Sequence, residues 1–151
     1  MENKILIAID LSENSLKAAE YVGEMTSCNP SMQITLFHVI NEPSSDIMPD
    51  ENKRRMHVER LRSEALVLME QAAGRLTMSH GISERNIKLK IQICKDQASV
   101  SALLLNEQKC GGYGTIVVGR RGVSKREEFI FGSVSSSVVR EAKQCAVWVV
   151  E

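Results

Sequence analysis

The stretch Lys4-Ile-Leu-Ile-Ala-Ile-Asp10 decides which fold the rest of the chain can adopt. Its apolar residues are continuous instead of alternating with polar ones. Such a run is typical of a strand that is buried on both faces, as in a parallel sheet. Leu11-Ser-Glu-Asn14 follows directly, and Ser12 is a suitable N-cap for a helix. The sequence therefore opens with a buried strand that leads into a helix.

The same strand-then-helix unit recurs along the chain. Further strands are predicted at Gln33–Ile40, Ile87–Ile93, Thr115–Val118 and Ala146–Val150. Helices are predicted from the apolar stripe Leu16–Met25 and at Glu51–Ser79, Gln97–Gln108 and Ser133–Lys143. This alternation predicts an α/β domain with a parallel sheet, right-handed crossovers and helices on both faces.

In a sheet of this kind, ligands bind beyond the carboxyl ends of the strands, where the strand order reverses. Three places in the sequence follow strand ends and carry suitable side chains. They are Asp10, the segment His38–Ile40 and the loop after Val118.

Length and composition limit the classes of protein to which this chain can belong. A chain of 151 residues fits one domain, so we expect a single domain over residues 1–151. The formal net charge of +0 gives no general attraction to nucleic acid or to an anionic membrane. No apolar run approaches the roughly 20 residues that span a bilayer, and the N-terminus lacks a signal-peptide layout. The expected location is the cytoplasm.

The cysteines and histidines show no metal-ligand spacing. The cysteines are Cys28, Cys94, Cys110 and Cys145, and the histidines are His38, His57 and His80. In a reducing compartment, scattered cysteines are predicted to be small buried hydrophobic residues. A redox or metal role is the alternative.

The loop between the fourth strand and the last helix is the most informative segment. Gly119 ends a buried strand and Gly132 precedes a helix, and glycine permits close approach of the backbone to a ligand. A helix N-terminus offers free N–H groups and a favourable dipole to an anion. Ser133 and Ser135 add hydroxyl groups. Positive charge comes from Arg120, Arg121, Lys125 and Arg126.

Two familiar phosphate-binding motifs do not fit this loop. It is not a Walker P-loop, because neither GKS nor GKT follows the last glycine. It is not the dinucleotide fingerprint either, because the glycine spacing differs and the loop follows the fourth strand. On physical grounds alone the loop is either a phosphate site or a set of tight turns.

Over essentially its whole length, the chain resembles the universal stress protein family. Nucleotide-binding members of that family carry Gly-x2-Gly-x9-Gly-Ser/Thr, which is matched by Gly119, Gly122, Gly132 and Ser133. Ala8–Ser12 resembles the usual opening of the family, and Phe37–Val39 resembles the end of its second strand. The chain departs from the family at Gln144-Cys145-Ala146, where a proline is common.

The resemblance implies a three-layer sandwich, adenine nucleotide alpha hydrolase-like, with a five-stranded parallel sheet of order 3-2-1-4-5. It also implies an ATP site, with Asp10 near the base and ribose, Val39 beside the adenine, and Mg²⁺ or Mn²⁺ held through the phosphates. The implied nucleotide-binding residues are Ala8, Asp10, Val39, Val118, Gly119, Arg121, Gly122, Gly132, Ser133, Val134 and Ser135.

Simpler roles remain open for three of these residues. Asp10 is also suited to cap the first helix, which does not exclude contact with a ligand. Val39 is also expected in a core. Ser135 can form a hydrogen bond within its own helix.

The resemblance further implies a homodimer that pairs through the strand Ala146–Val150 and changes its protein partner with ATP occupancy. This would be a regulatory module in stress response. Slow ATP hydrolysis or phosphotransfer is one alternative, and a nucleotide-free interaction protein is another. Phosphoryl transfer needs a positioned base. Glu127 and Glu128 are the available candidates beside the loop, and nothing further supports them. The sequence thus favours binding over efficient catalysis.

Overall fold

The computed structural model describes residues 3–10, 12–95, 98–120 and 132–151. The strands are β1 (Lys4–Ala8), β2 (Gln33–Asn41), β3 (Ile87–Cys94), β4 (Thr115–Gly119) and β5 (Ala146–Val150). The α-helices are α1 (Glu13–Thr26), α2 (Glu51–His80), α3 (Val100–Gly111) and α4 (Ser133–Glu141), and a short 3₁₀ turn covers Glu84–Asn86.

The strands form one parallel sheet in the order β3-β2-β1-β4-β5, which confirms the predicted topology. β1 lies between β2 and β4. Its Ile7 is in register with Leu36 on one side and with Val117 on the other. The chain therefore moves outward from β1 through β2 to β3, and returns to place β4 beside β1.

Both faces of β1 are buried, as its continuous apolar run predicts. Ile5 and Ile7 belong to a core that includes residues of α1 and α2. Leu6 points to a second core, which contains Leu104 of α3 and Val138 of α4. Helices cover both faces of the sheet, so the architecture is the predicted three-layer sandwich.

Local signals set several helix ends. The hydroxyl oxygen of Ser12 accepts a hydrogen bond from the backbone N–H of Ser15 at 3.3 Å, which confirms Ser12 as the N-cap of α1. Gly81 ends α2 with φ of 68°, a conformation that favours glycine. The Ser99 hydroxyl accepts from the N–H of Ala102 and starts α3 at Val100. The predicted start at Gln97 lies outside the described residues.

Three apolar helix residues are exposed, and one of them is Met25, which the apolar stripe Leu16–Met25 predicts to point inward. Met25 of α1, Met56 of α2 and Val139 of α4 have exposed fractions of 57%, 70% and 55%. In α1 the buried stripe runs through Ala18 and Val22, which leaves Met25 at its edge. α4 also ends at Glu141, earlier than the predicted Lys143.

The prediction that the cysteines are buried is correct for Cys94 and wrong for Cys28, which follows α1, and for Cys110, in the last turn of α3, since both are exposed. Cys145 is partly buried beside β5, and this burial raises the pKa of its thiol. A raised pKa leaves less of the reactive thiolate at neutral pH.

No helix in the described ranges is both long enough and apolar enough to cross a bilayer. The 30-residue helix α2 has the length, but its outward face is charged.

A buried polar network joins α3 to the sheet. The hydroxyl of Tyr113 lies 3.1 Å from Thr35 Oγ1 of β2 and 3.3 Å from Glu107 Oε1 of α3. The other carboxylate oxygen of Glu107 accepts from Lys90 Nζ of β3 at 2.6 Å. The side-chain amide of Gln108 donates to the carbonyl of Tyr113 at 2.9 Å. The network therefore fixes α3 over the β2–β3 side of the sheet.

Replacing Tyr113 by phenylalanine is expected to lower the free energy of unfolding by about 1–2 kcal/mol, because it removes the hydroxyl that joins Thr35 to Glu107. Urea denaturation measures this change. Tyr21→Phe is the matched control, since Tyr21 is 41% exposed, and its effect is expected to stay within about 0.5 kcal/mol. Equal effects of the two substitutions would contradict a stabilising role for the network.

Candidate functional site

The strand order reverses between β1 and β4, and the candidate site lies at the carboxyl ends of these two strands. Ala8 is the last residue of β1, and Val118 and Gly119 are the last residues of β4. Because the chain leaves β1 toward β2 and leaves β4 toward β5, the connections diverge and open a crevice between them. The topology thus brings Ala8, Val118 and Gly119 to one edge.

The turn after β1 is organised by Asp10. Its Oδ1 accepts hydrogen bonds from the backbone N–H of Ser12 at 3.1 Å and from the Ser12 hydroxyl at 2.5 Å. The backbone N–H of Asp10 is directed to Ser15 Oγ at 3.3 Å. Ser12 rather than Asp10 is therefore the N-cap of α1. Asp10 holds that cap in place and remains half-buried at the sheet edge.

His38 supports the same turn from the neighbouring strand. Its Nδ1 lies 2.6 Å from the carbonyl oxygen of Ile9, and the N–H of Ile9 donates to the carbonyl of Phe37 at 2.8 Å. Because a carbonyl can only accept, Nδ1 carries the proton in this contact. Sequence reasoning did not assign this role to His38, although its position at the end of β2 was the available signal.

Val39 lies at the end of β2, on the face that is covered by α3 and α4. It is half-buried and packs against the core that contains Phe37 and Leu104. The simpler prediction of a core role for Val39 is therefore correct. The partial exposure of its side chain is compatible with the implied contact to a base.

Gly119 has a packing role that sequence reasoning did not find. A Cβ atom at this position would lie 3.2 Å from the backbone carbon of Asn14 and 3.3 Å from its carbonyl oxygen. Such contacts are tighter than side chains normally make, so glycine allows the end of β4 to approach the first turn of α1 closely. Gly119 therefore has a structural role at the end of β4 that does not depend on a ligand.

Backbone hydrogen bonds fix both ends of the segment that follows β4. The N–H of Arg120 donates to the carbonyl of Val150 at 2.6 Å, and the N–H of Gly132 donates to the carbonyl of Arg120 at 2.8 Å. The start of α4 is thereby held against the end of β4. The residues between, 121–131, lie outside the described part of the chain, and they include the predicted ligands Arg121 and Gly122.

The N-terminus of α4 is suited to bind an anion. Gly132 is its N-cap, and no side chain among the described residues caps it. Ser133 is exposed, and Val134 is half-buried. The first N–H groups of the helix carry partial positive charge and have no partner within the helix. The arrangement can therefore accept a phosphate or a carboxylate.

The side chains around this N-terminus divide into two groups. Ser135 is 2% exposed, and its hydroxyl donates to carbonyl oxygens, which confirms the simpler role predicted for it. The guanidinium group of Arg120 forms an ion pair with the carboxylate of Glu151, so part of the positive charge that was predicted for the loop is already neutralised. Within the described ranges, no cluster of His, Cys, Asp or Glu has the composition of a metal site.

The five-stranded parallel sheet of order 3-2-1-4-5, flanked by helices, matches the adenine nucleotide alpha hydrolase-like fold of α/β proteins. The particular family follows from the sequence, which matches the model of the universal stress protein family over residues 1–151. The chain belongs to this family. No individual curated protein matches the chain significantly.

Solved structures of universal stress proteins share the fold. The protein UspA from Lactobacillus plantarum aligns with a TM-score of 0.82 at 19% identity and covers 98% of this chain and 97% of its own. A universal stress protein in complex with cAMP aligns with a TM-score of 0.68 at 16% identity, over 98% and 95% of the two chains. One from Archaeoglobus fulgidus in complex with dAMP has a TM-score of 0.59 at 15% identity, over 98% and 97%.

Proposed function

We propose that this universal stress protein binds ATP in the crevice between β1 and β4 and acts as a nucleotide-dependent regulatory module in stress response. The observation on which the proposal rests is the N-terminus of α4, which no side chain of the described ranges caps and which is held against the end of β4, where the strand order reverses. The position is suitable for phosphates, because N–H groups and the helix dipole act there together.

The rest of the proposed site follows from the positions of the described residues. Ala8, Asp10 and Val39 lie at the ends of the two adjacent strands β1 and β2, which is a suitable place for a base and ribose. Gly119, Gly132 and Ser133 lie where phosphates would extend toward α4. We include Arg121 and Gly122 among the proposed phosphate-binding residues because of their positions in the glycine motif.

Two structural relatives support the choice of an adenine nucleotide. One was solved with cAMP and the other with dAMP, and both share the fold of this chain. An adenine, a sugar and a phosphate are common to these ligands and to ATP. Mg²⁺ or Mn²⁺ would be held mainly by the phosphates of ATP, since phosphate oxygens are the ligands these ions prefer.

Calorimetric titration with ATP is expected to show saturable binding to the wild-type protein and loss of that binding in Gly122→Val. A valine side chain at the second glycine of the motif would obstruct the close approach of phosphate to the backbone. Adenosine is the control ligand, because it lacks phosphates, and the substitution should affect its binding much less.

Three outcomes would contradict this proposal in different ways. Wild-type protein that binds no adenine nucleotide would exclude it. Equal ATP affinity of the wild type and Gly122→Val would place the phosphates elsewhere. Turnover of ATP above about 1 s⁻¹ with Mg²⁺ would indicate a dedicated enzyme instead of a binding module.

We also propose that the protein forms a homodimer in the cytoplasm by pairing of β5 with β5 of a second copy. The two edge strands of the sheet, β3 and β5, differ in charge. β3 carries the exposed Lys88 and Lys90, and lysine on an edge strand discourages pairing with another chain. β5 consists of Ala-Val-Trp-Val-Val and carries no charge. The edge at β5 is therefore the one suited to pairing.

The backbone geometry of β5 also suits this pairing. The N–H of Ala146 and the carbonyl of Val150 bond toward β4. Because successive residues of a strand point their backbone groups to opposite sides, those of Val147 and Val149 point outward along the open edge. Trp148 packs against Tyr21 of α1, with ring centres 6.0 Å apart, so an aromatic surface lies next to this edge.

Val149→Pro is expected to shift the protein from dimer to monomer, because proline removes an outward N–H group without removing a hydrogen bond to β4. Sedimentation equilibrium measures the association. Val149→Ala is the matched control, since it shortens the same side chain but keeps the N–H group. A dimer of unchanged stability in Val149→Pro would exclude pairing through β5.

A further inference from the structure

Ser135 is a buried serine whose hydroxyl is already engaged. It lies in the first turn of α4 with an exposed fraction of 2%. Its Oγ is 3.0 Å from the carbonyl oxygen of Arg120 and 3.0 Å from that of Gly132. A hydroxyl carries one proton, so it is shared between these two carbonyl groups.

The two carbonyl groups belong to opposite ends of the same segment. Arg120 is the first residue after β4, and Gly132 is the N-cap of α4. The carbonyl of Arg120 also accepts from the N–H of Gly132 at 2.8 Å. We call the contact of Arg120, Gly132 and Ser135 the loop neck, because it closes the base of the connection between β4 and α4.

The loop neck is anchored to the sheet on one side and to the helix on the other. The N–H of Arg120 bonds to the carbonyl of Val150 in β5, and its guanidinium group pairs with Glu151. Ser135 is part of α4 and moves with it. The side-chain bond from Ser135 to Arg120 therefore acts together with the backbone bond from Gly132 to hold the helix N-terminus at the end of β4.

We propose that Ser135 is a positioning residue, which closes the loop neck and presents the N-terminus of α4 to phosphate without touching it. This inference rests on the proposed nucleotide function. It differs from the role that the family resemblance implies for Ser135, which is direct contact with the nucleotide.

Hydrogen-bond chemistry supports this division of roles between the two serines of the first turn. Phosphate oxygens accept hydrogen bonds, so a serine that binds them must supply its proton. Ser135 would have to give up its bonds to the two carbonyl groups to do so, which would cancel most of the gain from a new bond to phosphate. Ser133 is exposed at the first position of the helix and can donate without such a loss. Pre-positioned donors bind more tightly, because less ordering remains to be done on binding.

The test compares Ser135→Ala, Ser133→Ala and the double variant by calorimetric titration with ATP and with adenosine. Ser135→Ala is expected to weaken ATP binding by about three- to tenfold, which corresponds to one hydrogen bond. Adenosine affinity should not change. In the double variant the combined loss should be smaller than the product of the two single losses, because Ser135 acts through donors that include Ser133.

Hydrogen exchange of the Gly132 amide is measured in the absence of nucleotide. Its exchange should be faster in Ser135→Ala than in the wild type, because the loop neck is held less firmly, and should be unchanged in Ser133→Ala. Unchanged ATP affinity in Ser135→Ala, or losses that multiply fully in the double variant, would overturn the inference. If the wild type binds no ATP, the proposed function is wrong. Gly132 exchange then tests the role of Ser135 in the loop neck separately, and unchanged exchange in Ser135→Ala would contradict that role.

Discussion

Burial of β1 on both faces is the constraint on which the rest of the structure depends. Ile7 and Leu6 enter different cores on opposite faces of the sheet, and β1 has a parallel neighbour on each side. Parallel neighbouring strands must be joined by crossover connections. Here these connections contain helices, which cover both faces of the sheet. The chain extends to one side of β1 and later returns to the other. The crevice at the reversal of strand order is thus a consequence of where β1 lies.

The same constraint explains why residues far apart in sequence act at one edge. His38 and Asp10 shape the turn after β1 from neighbouring segments, through the carbonyl of Ile9 and the cap at Ser12. Gly119 lets β4 end close to α1. The N-terminus of α4, which lacks a side-chain cap from any residue that the structure describes, is held against the end of β4. Each contact is part of the scaffold, and the first N–H groups of α4 at this edge of the sheet would stabilise an anion.

Much of the fold, and part of the candidate site, was predictable from the sequence. Continuous apolar runs identified β1 and β4 as buried strands, and Ser12 and Gly81 marked helix ends through known capping chemistry. The exposure of Met25 was not predictable, because the position of a helix stripe relative to the sheet depends on tertiary packing. The bond from Ser135 to the carbonyl of Arg120 was not predictable, since a hydroxyl in a sequence can donate equally well to a ligand or to a carbonyl. The resemblance to the family supplied the strand order, and the structure confirmed it.

The central claim is that nucleotide phosphates bind at the N-terminus of α4. Backbone amide chemical shifts in a nuclear magnetic resonance titration with ATP test it most directly. The largest saturable shifts are expected at the amides of Ser133 and Val134 and in the turn at Asp10, while those of Lys88 and Lys90 at the far edge should stay unchanged. Absence of shifts at Ser133 and Val134 at saturating ATP would contradict it.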